Sequence, residues 1–156
     1  MSREIIAALM ISLVPFFGLL AFFAVRRRRS QQEKALAQPA RAVSSNGIDC
    51  LYVATVFRDS PLERIWAYGL GARGDANISC LGGVVSIWRT GEVDFSFKLE
   101  GVEKARATID KGVESEGLVS LHWSHGEAAL TSQVRFRSGE SQKQFLEMCQ
   151  QPTGAK

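Results

Sequence analysis

The sequence predicts one N-terminal transmembrane α-helix followed by one mainly-β domain, which a C-terminal helix closes. An unbroken apolar run from Ile5 to Val25, ended by four arginines, predicts the membrane helix. Short alternating runs between glycine turns predict the β domain, and one amphipathic segment near the C-terminus predicts the last helix. We expect about seven antiparallel strands, arranged as a strongly bent sheet or open barrel.

The apolar run is long enough to span a membrane. Its 21 residues would form a helix of about 31 Å, close to the thickness of the hydrocarbon core of a bilayer. Large apolar side chains occupy every face of that helix, so no polar side remains for water. A cleaved signal peptide is the main alternative, but its apolar region is shorter and is followed by small residues. The residues that follow here are Arg26, Arg27, Arg28 and Arg29.

These four arginines, the arginine flank, predict the orientation of the chain. They are followed by Lys34 and Arg41 and are opposed by one acid, Glu33. Because positive flanks stay in the cytoplasm, we expect a single-pass protein of the cell (inner) membrane. Its N-terminus would be outside, and its C-terminal domain would be cytoplasmic.

The basic excess of the chain belongs to this anchor. The net charge is +3 overall, but it is +5 in the first 43 residues and −2 from Ser44 onward. The predicted domain is therefore not basic, which argues against nucleic acid as a partner. The arginine flank would attract anionic lipid head groups, at about 1 kcal/mol per charge near the surface.

Cysteine usage agrees with a cytoplasmic domain. The cysteines are odd in number and have no short-spaced pair, which is not a disulfide framework. We interpret them as buried thiols that act as small apolar residues. They are Cys50, Cys80 and Cys149.

The chain divides into four predicted parts. These are a transmembrane anchor with its basic stop (1–29), a juxtamembrane linker (30–48), one domain (49–150) and a tail (151–156). The anchor helix could continue to Gln38, where Pro39 would end it, and Ser44 to Gly47 is typical of a flexible linker.

Alternation of apolar and polar residues predicts the strands of the domain. The predicted ranges are Cys50–Phe57, Ala76–Leu81, Val84–Arg89, Val93–Lys98, Val102–Ile109, Leu118–Trp123 and Ala129–Phe136. Tight turns are predicted at Gly82-Gly83, Thr90-Gly91, Asp110-Lys111-Gly112 and His125-Gly126-Glu127.

Two helical segments are predicted inside the domain. Ser138 is a suitable N-cap for a helix that reaches about Gln150. Between the first two strands, Pro61 favours the first turn of a short helix that follows Ser60.

Several segments together form a pattern that extends from the anchor to the final helix. They are Trp66–Arg73, Asp110–Gly112, Gly117–Val119, Trp123–Gly126 and Phe136–Ser138. The pattern resembles a family of small actinobacterial single-pass membrane proteins with a bacterial pleckstrin-homology-like (PH-like) domain. Such proteins are often labelled only as transporter, export or membrane proteins. The resemblance implies seven strands capped by a C-terminal helix, and it implies no activity and no functional residues.

Residues typical of catalysis or metal binding form no convincing site. His122 and His125 are three positions apart, so they would point to opposite faces of a regular strand. The spacing Gly69-x-Gly71-x-x-Gly74 matches the dinucleotide fingerprint by letter, but the flanking sequence does not predict a strand before it and a helix after it. We interpret these glycines as loop residues. We predict no enzyme activity, no catalytic residue, no cofactor and no metal.

A candidate interaction loop contains Arg64, Trp66 and Arg73. Its arginines could meet phosphates or acidic lipids, although solvated or paired loop arginines are the simpler interpretation. The tryptophans fit core or half-buried positions better than a ligand cage. They are Trp66, Trp88 and Trp123.

The first functional hypothesis is a membrane-tethered, non-enzymatic interaction or adaptor module on the cytoplasmic face of the membrane. Its partners would be the lipid bilayer and another membrane or membrane-associated protein. An accessory subunit of a membrane transporter is the main alternative. A membrane-bound enzyme and a domain that itself binds lipid rank lower.

Overall fold

A computed structural model of the chain describes residues 3–36, 38–42, 47–104 and 117–150, with side chains from Leu13 onward. One helix precedes the strands and one follows them, as predicted. The elements are α1 (Arg3–Ala35), β1 (Ile48–Phe57), β2 (Ser60–Arg64), a 3₁₀ turn (Ala67–Gly69), β3 (Gly74–Leu81), β4 (Val84–Arg89), β5 (Phe95–Lys98), β6 (Gly101–Lys104), β7 (Leu118–His125), β8 (Ala128–Phe136) and α2 (Gly139–Gln150).

The eight strands of the described residues form one antiparallel sheet, in which seven follow the order β5-β4-β3-β1-β8-β7-β6 and β2 pairs with β1 beside this path. β1 is central because it pairs with β8 along one side and with β3 and β2 in turn along the other. The sheet curls until β5 meets β7 through side chains. There Phe97 stacks on Trp123 with their ring centroids 4.6 Å apart. The result is the open barrel that the sequence predicts, and we call this contact the aromatic seam.

β4 buries the face that strand alternation gives to its apolar residues, and Ser86 of the opposite face is buried as well. Val85, Ile87 and Arg89 all point into the core from β4. The turn between β3 and β4 uses Gly82 and Gly83, whose φ angles are +59° and +75°. Both angles lie in the left-handed region that glycine adopts without strain, which explains the double glycine in this hairpin.

α2 closes one end of the barrel. The Ser138 hydroxyl accepts a hydrogen bond from the Ser141 amide at 3.1 Å, so Ser138 is the predicted N-cap. Phe145 is fully buried, and its ring centroid lies 5.1 Å from that of Phe136. Burying one such side chain stabilises the docked helix by about 1.5–3 kcal/mol.

The predicted short helix after Ser60 is wrong. The segment forms β2, which folds back on β1 around Arg58 and Asp59 and places Ser60 opposite Phe57. This strand tolerates Pro61 because an edge strand does not need the backbone N–H group that proline lacks. The helical turn lies further on, as the 3₁₀ turn, and within the described ranges the sheet has eight strands instead of seven.

Of the seven predicted strands, only Val84–Arg89 keeps both predicted bounds, and the other six begin or end at different residues. β5 begins at Phe95, because the Asp94 carboxylate accepts a hydrogen bond from the Arg89 amide at 3.2 Å and is part of the turn. β6 covers the beginning of the predicted strand Val102–Ile109. The rest of that strand, the predicted turn Asp110–Gly112, residues 44–46 of the predicted flexible linker and the tail 151–156 lie outside the described residues.

α1 is continuous over 33 residues and contains Pro15. Over the part of the chain that the structure describes, no helix has the combination of length and apolar character that crossing a membrane requires. Part of the segment that the sequence assigns to a linker packs on the domain. Leu36 and Pro39 are buried, and Ala40 forms an antiparallel bridge with Ser96 of β5.

Candidate functional site at the junction of helix and domain

The end of α1 is bound to the domain by one buried glutamine. The Gln32 side-chain amide donates a hydrogen bond to the carbonyl of Arg64 at 3.1 Å, and its oxygen accepts one from the amide of Trp66 at 2.8 Å. Only 6% of Gln32 is exposed. Both polar ends of one side chain therefore hold the segment that follows β2. We call residues 65–73 the junction loop.

Tyr68 binds the same helix from the junction loop. Its hydroxyl lies 3.1 Å from the carbonyl of Glu33 and 3.0 Å from that of Leu36, and it donates to these helix-end acceptors. The last carbonyls of a helix lack hydrogen-bond donors within the helix, and the Tyr68 hydroxyl supplies such a donor here. Tyr68 adopts a φ of +53°, a strained backbone conformation that costs on the order of 1–3 kcal/mol. The contacts with α1 explain why the loop retains it.

The arginine flank lies beside this junction. Arg28 forms an ion pair with Glu63 of β2 at 2.8 Å, and Arg29 pairs with Glu33 one helical turn further along at 2.9 Å. Both pairs are largely exposed, so each contributes at most about 1 kcal/mol. The Arg28–Glu63 pair matters chiefly for the position of the helix, because it joins the arginine flank to the domain. Arg26 and Arg27 are exposed.

The structure brings two members of the candidate interaction loop together. The Arg64 guanidinium lies 6.0 Å from the centre of the Trp66 ring and donates to the carbonyl of Gly71 at 3.3 Å. Trp66 is 46% exposed, which leaves much of its ring available to a partner. Arg73 is exposed at the end of the junction loop, just before β3.

Arg89 supports the junction loop from inside the domain, where it is buried. Its guanidinium donates to the carbonyls of Gly69 at 2.7 Å and Val93 at 2.8 Å. It also lies 4.6 Å from the centre of the Tyr52 ring and 5.3 Å from that of Phe95. Arg89 is only 3% exposed, so these carbonyls and rings replace water around its charge.

A buried chain of hydroxyl groups adds a second support. The Tyr52 hydroxyl donates to the carbonyl of Leu70 at 2.7 Å and contacts the Thr55 hydroxyl at 2.6 Å. Thr55 in turn bonds Ser132, which accepts a hydrogen bond from the Trp123 indole at 3.0 Å. Burial raises the pKa of Tyr52 to about 12, so its hydroxyl stays protonated and able to donate.

Sequence reasoning missed Gln32, Tyr68 and Arg89. A signal existed for Arg89, because alternation places it on the apolar face of its strand, where a charged residue must find buried partners. Tyr68 also offered a weak signal, as an aromatic residue in a loop rich in glycine. Nothing in the local sequence distinguishes Gln32 from its neighbour Gln31.

Gly69 and Gly71 serve the backbone of the junction loop, as predicted, whereas Gly74 is not a loop residue and begins β3. A Cβ atom at Gly71 would lie 2.9 Å from the carbonyl oxygen of Ile65 and 3.0 Å from the Trp66 ring. A Cβ atom at Gly74 would meet nothing within 4 Å. The two positions therefore provide a matched test of what these glycines do.

We expect Gly71→Ala to destabilise the domain by about 1–3 kcal/mol, since the new methyl group overpacks the loop. Gly74→Ala is expected to be neutral or mildly stabilising. Urea unfolding followed by tryptophan fluorescence measures both variants. Equal effects at the two positions would contradict the packing role of Gly71.

Two of the three cysteines lie together, although 69 positions separate them in the chain. Cys80 at the end of β3 and Cys149 in the last turn of α2 share a hydrogen bond. This bond, with help from the Gly83 amide, lowers the pKa of Cys80 from 9.0 to about 7, while the pKa of Cys149 is raised. Cys50 is buried, and burial raises its pKa to about 12. The prediction of buried thiols thus holds for Cys50 and Cys80, whereas Cys149 is half-buried.

We expect Cys149→Ala to raise the pKa of Cys80 towards 9, because the variant removes the hydrogen-bond donor of its thiolate. Thiolate absorbance in a pH titration measures the change, and Cys50→Ala is the control because it leaves the Cys80–Cys149 hydrogen bond in place.

In the unsubstituted protein, Cys80 loses its proton at a lower pH in the folded state than in the unfolded state. Its contribution to stability therefore grows between pH 7 and 9. Above pH 9 the contribution of Cys50 falls, because the folded protein retains a proton that the unfolded chain releases.

The two histidines face opposite sides of β7, as predicted. His122 lies 3.0 Å from the Thr131 hydroxyl and 3.4 Å from the Glu103 carboxylate, and His125 lies beside Trp123. Thr131 is the direct cross-strand partner of His122, so their contact follows from strand pairing. Among the described residues, no group of three histidine, cysteine or acidic side chains is placed to hold a metal ion.

Comparison with known proteins agrees with this architecture. A family model described as bacterial PH domain-like matches residues 32–150, from the glutamine of the junction to the end of α2. No curated protein and no solved structure matched the chain. The match confirms the PH-like domain that the resemblance implies. The membrane span and the transporter labels stay predictions.

Proposed function

The chain belongs to the bacterial PH domain-like family, and from this membership we propose that it is a membrane-tethered, non-enzymatic adaptor. In this proposal α1 crosses the inner membrane once, with its N-terminus outside. The domain is held on the cytoplasmic face, where it binds another membrane or membrane-associated protein. Domains of this class are typically interaction modules rather than catalysts.

Exposed apolar side chains on α1 support the tether. Eight large ones are between 50% and 74% exposed, which is costly in water and favourable in lipid. They are Val14, Phe16, Phe17, Leu19, Leu20, Phe22, Phe23 and Val25. The arginine flank follows them directly, as expected of a cytoplasmic boundary.

The observation that carries the adaptor role is the junction itself. Gln32 and Tyr68 fix the domain to the helix, so the domain would be presented in one orientation to its neighbours. The exposed Trp66 belongs to the junction loop, and tryptophan is prominent among the residues that contribute most to protein interfaces. Tethering also raises the local concentration, so a weak contact would suffice.

Photo-crosslinking in intact membranes tests the proposal. A photoreactive amino acid replaces Trp66 in the full-length chain, and the control carries it at Leu81, an exposed residue on the β3–β4 hairpin. We expect a discrete protein adduct from position 66 that position 81 does not give. A polytopic transporter in that adduct would favour the accessory-subunit alternative. The same background at both positions would argue against an adaptor that works through this surface.

A further inference from the structure

The β1–β2 hairpin, residues 57–64, extends from the junction towards the apolar part of α1. We propose that this hairpin, through Pro61 and Leu62, enters the head-group layer of the bilayer and gives the domain a second membrane contact. The inference rests on the proposed tether, and it names the lipid interface itself as the partner of this surface.

The order of contacts along the junction sets the direction of the hairpin. Arg28 contacts Glu63, Gln32 contacts the backbone on both sides of Ile65, and the carbonyl of Leu36 contacts Tyr68. The two segments therefore run side by side in the same direction. In both segments, the direction from the N-terminus to the C-terminus leads away from the apolar run of α1. The residues that precede Glu63 consequently lie on the side of that run.

Distances place the hairpin at the depth of the lipid head groups. Arg28 is three residues beyond Val25, which corresponds to about 4.5 Å along the helix. The polar layer on each side of a bilayer is about 5–8 Å thick. Leu62 and Pro61 precede Glu63 at about 3.3 Å per residue of strand. They therefore reach the level of the arginine flank or deeper.

Two exposed apolar residues of the hairpin, Pro61 and Leu62, suit this layer and lie beside the exposed acid Asp59. Leu62 is 77% exposed, an unfavourable position for leucine in water that burial among lipids would relieve. The charge of Arg58 at the turn is paired with Glu100 at 2.9 Å. Arg64, the last residue of the hairpin, and Trp66 after it lie on the side away from the apolar run of α1, and tryptophan and arginine are both favoured at membrane interfaces.

The fold supplies a matched control at its other end. Leu81 is 82% exposed, which makes it a counterpart of Leu62 in side chain and accessibility. β3 runs antiparallel to β1 and pairs Ile78 with Ile48, the first residue of β1. Leu81 lies three residues after Ile78, beyond the N-terminal end of β1. The hairpin begins at the C-terminal end of β1, at Phe57. Leu81 is therefore remote from the proposed membrane contact.

Depth-dependent quenching tests the inference on the full-length chain. The variants Leu62→Cys and Leu81→Cys are labelled with an environment-sensitive fluorophore and reconstituted in phosphatidylcholine and phosphatidylglycerol vesicles. The unsubstituted chain, labelled in the same way, gives the background from its three cysteines. Phospholipids with a nitroxide at the head group act as the quencher.

We expect severalfold stronger quenching at position 62 than at position 81, with a blue-shifted emission at position 62. Adding Gln32→Ala to the Leu62→Cys chain should weaken the quenching, because the domain is then held less firmly against the helix. Equal quenching at both positions, with the chain retained after an alkaline wash, would overturn the hairpin contact and leave the tether standing. Removal of the chain by that wash would overturn the tether and this inference together.

Discussion

Replacing Arg89 with alanine is expected to lower the free energy of unfolding by about 3–5 kcal/mol, which is a large part of the stability of a small domain. The substitution leaves the carbonyls of Gly69 and Val93 without their donor in a buried site. It also opens a cavity between the rings of Tyr52 and Phe95. Chemical unfolding of the purified full-length chain in detergent, followed by tryptophan fluorescence, measures the loss.

Arg137→Ala is the matched control for this prediction. Arg137 pairs with Asp75 at 2.8 Å, but both side chains are about two-thirds or more exposed. Such a surface pair is worth at most about 1 kcal/mol. Arg89→Lys should recover only part of the loss, since a single ammonium cannot bond both carbonyls as a planar guanidinium does. Similar losses from Arg89→Ala and Arg137→Ala would contradict the supporting role of Arg89.

Gln32→Ala is expected to loosen the contact between the helix and the domain without unfolding the sheet. The variant leaves the Trp66 amide and the Arg64 carbonyl without partners at a buried site. The cost is about 2 kcal/mol, which corresponds to roughly 30-fold easier local opening. Hydrogen exchange at the Trp66 amide should accelerate by a comparable factor, whereas exchange in β8 should not change.

The neighbouring residue provides the control. Gln31 has the same side chain, but it is exposed on α1. Gln31→Ala should therefore leave exchange at Trp66 unchanged. If both variants accelerate exchange equally, helix propensity rather than the buried hydrogen bonds governs the junction.

The sheet was largely predictable because its signals are local. Alternation predicted β4 at its observed bounds, the double glycine predicted a tight turn, and Ser138 predicted the start of α2. β2 was missed because a proline after a serine fits both a helix start and an edge strand. Only the pairing of Ser60 with Phe57, a tertiary contact, decides between the two.

The junction was only partly predictable, because it depends on contacts across the fold. Arg64 and Trp66 stood out by residue type in a loop. Gln32 gained its role from where α1 ends relative to the junction loop, more than thirty residues later. The contact of Cys80 with Cys149 likewise arises only when α2 packs against β3.

The junction also determines how the molecule responds to torsion. Arg28 and Gln32 of α1, and Leu36 directly after it, are spaced four residues apart and lie along one side, and that side holds the domain. Helix and sheet consequently turn as one body. A second helix that packed against the opposite side of α1 and rotated it would swing the hairpin, the Trp66 ring and the aromatic seam through the same angle. In the proposed function, α1 would therefore transmit rotation to the domain as well as anchor it.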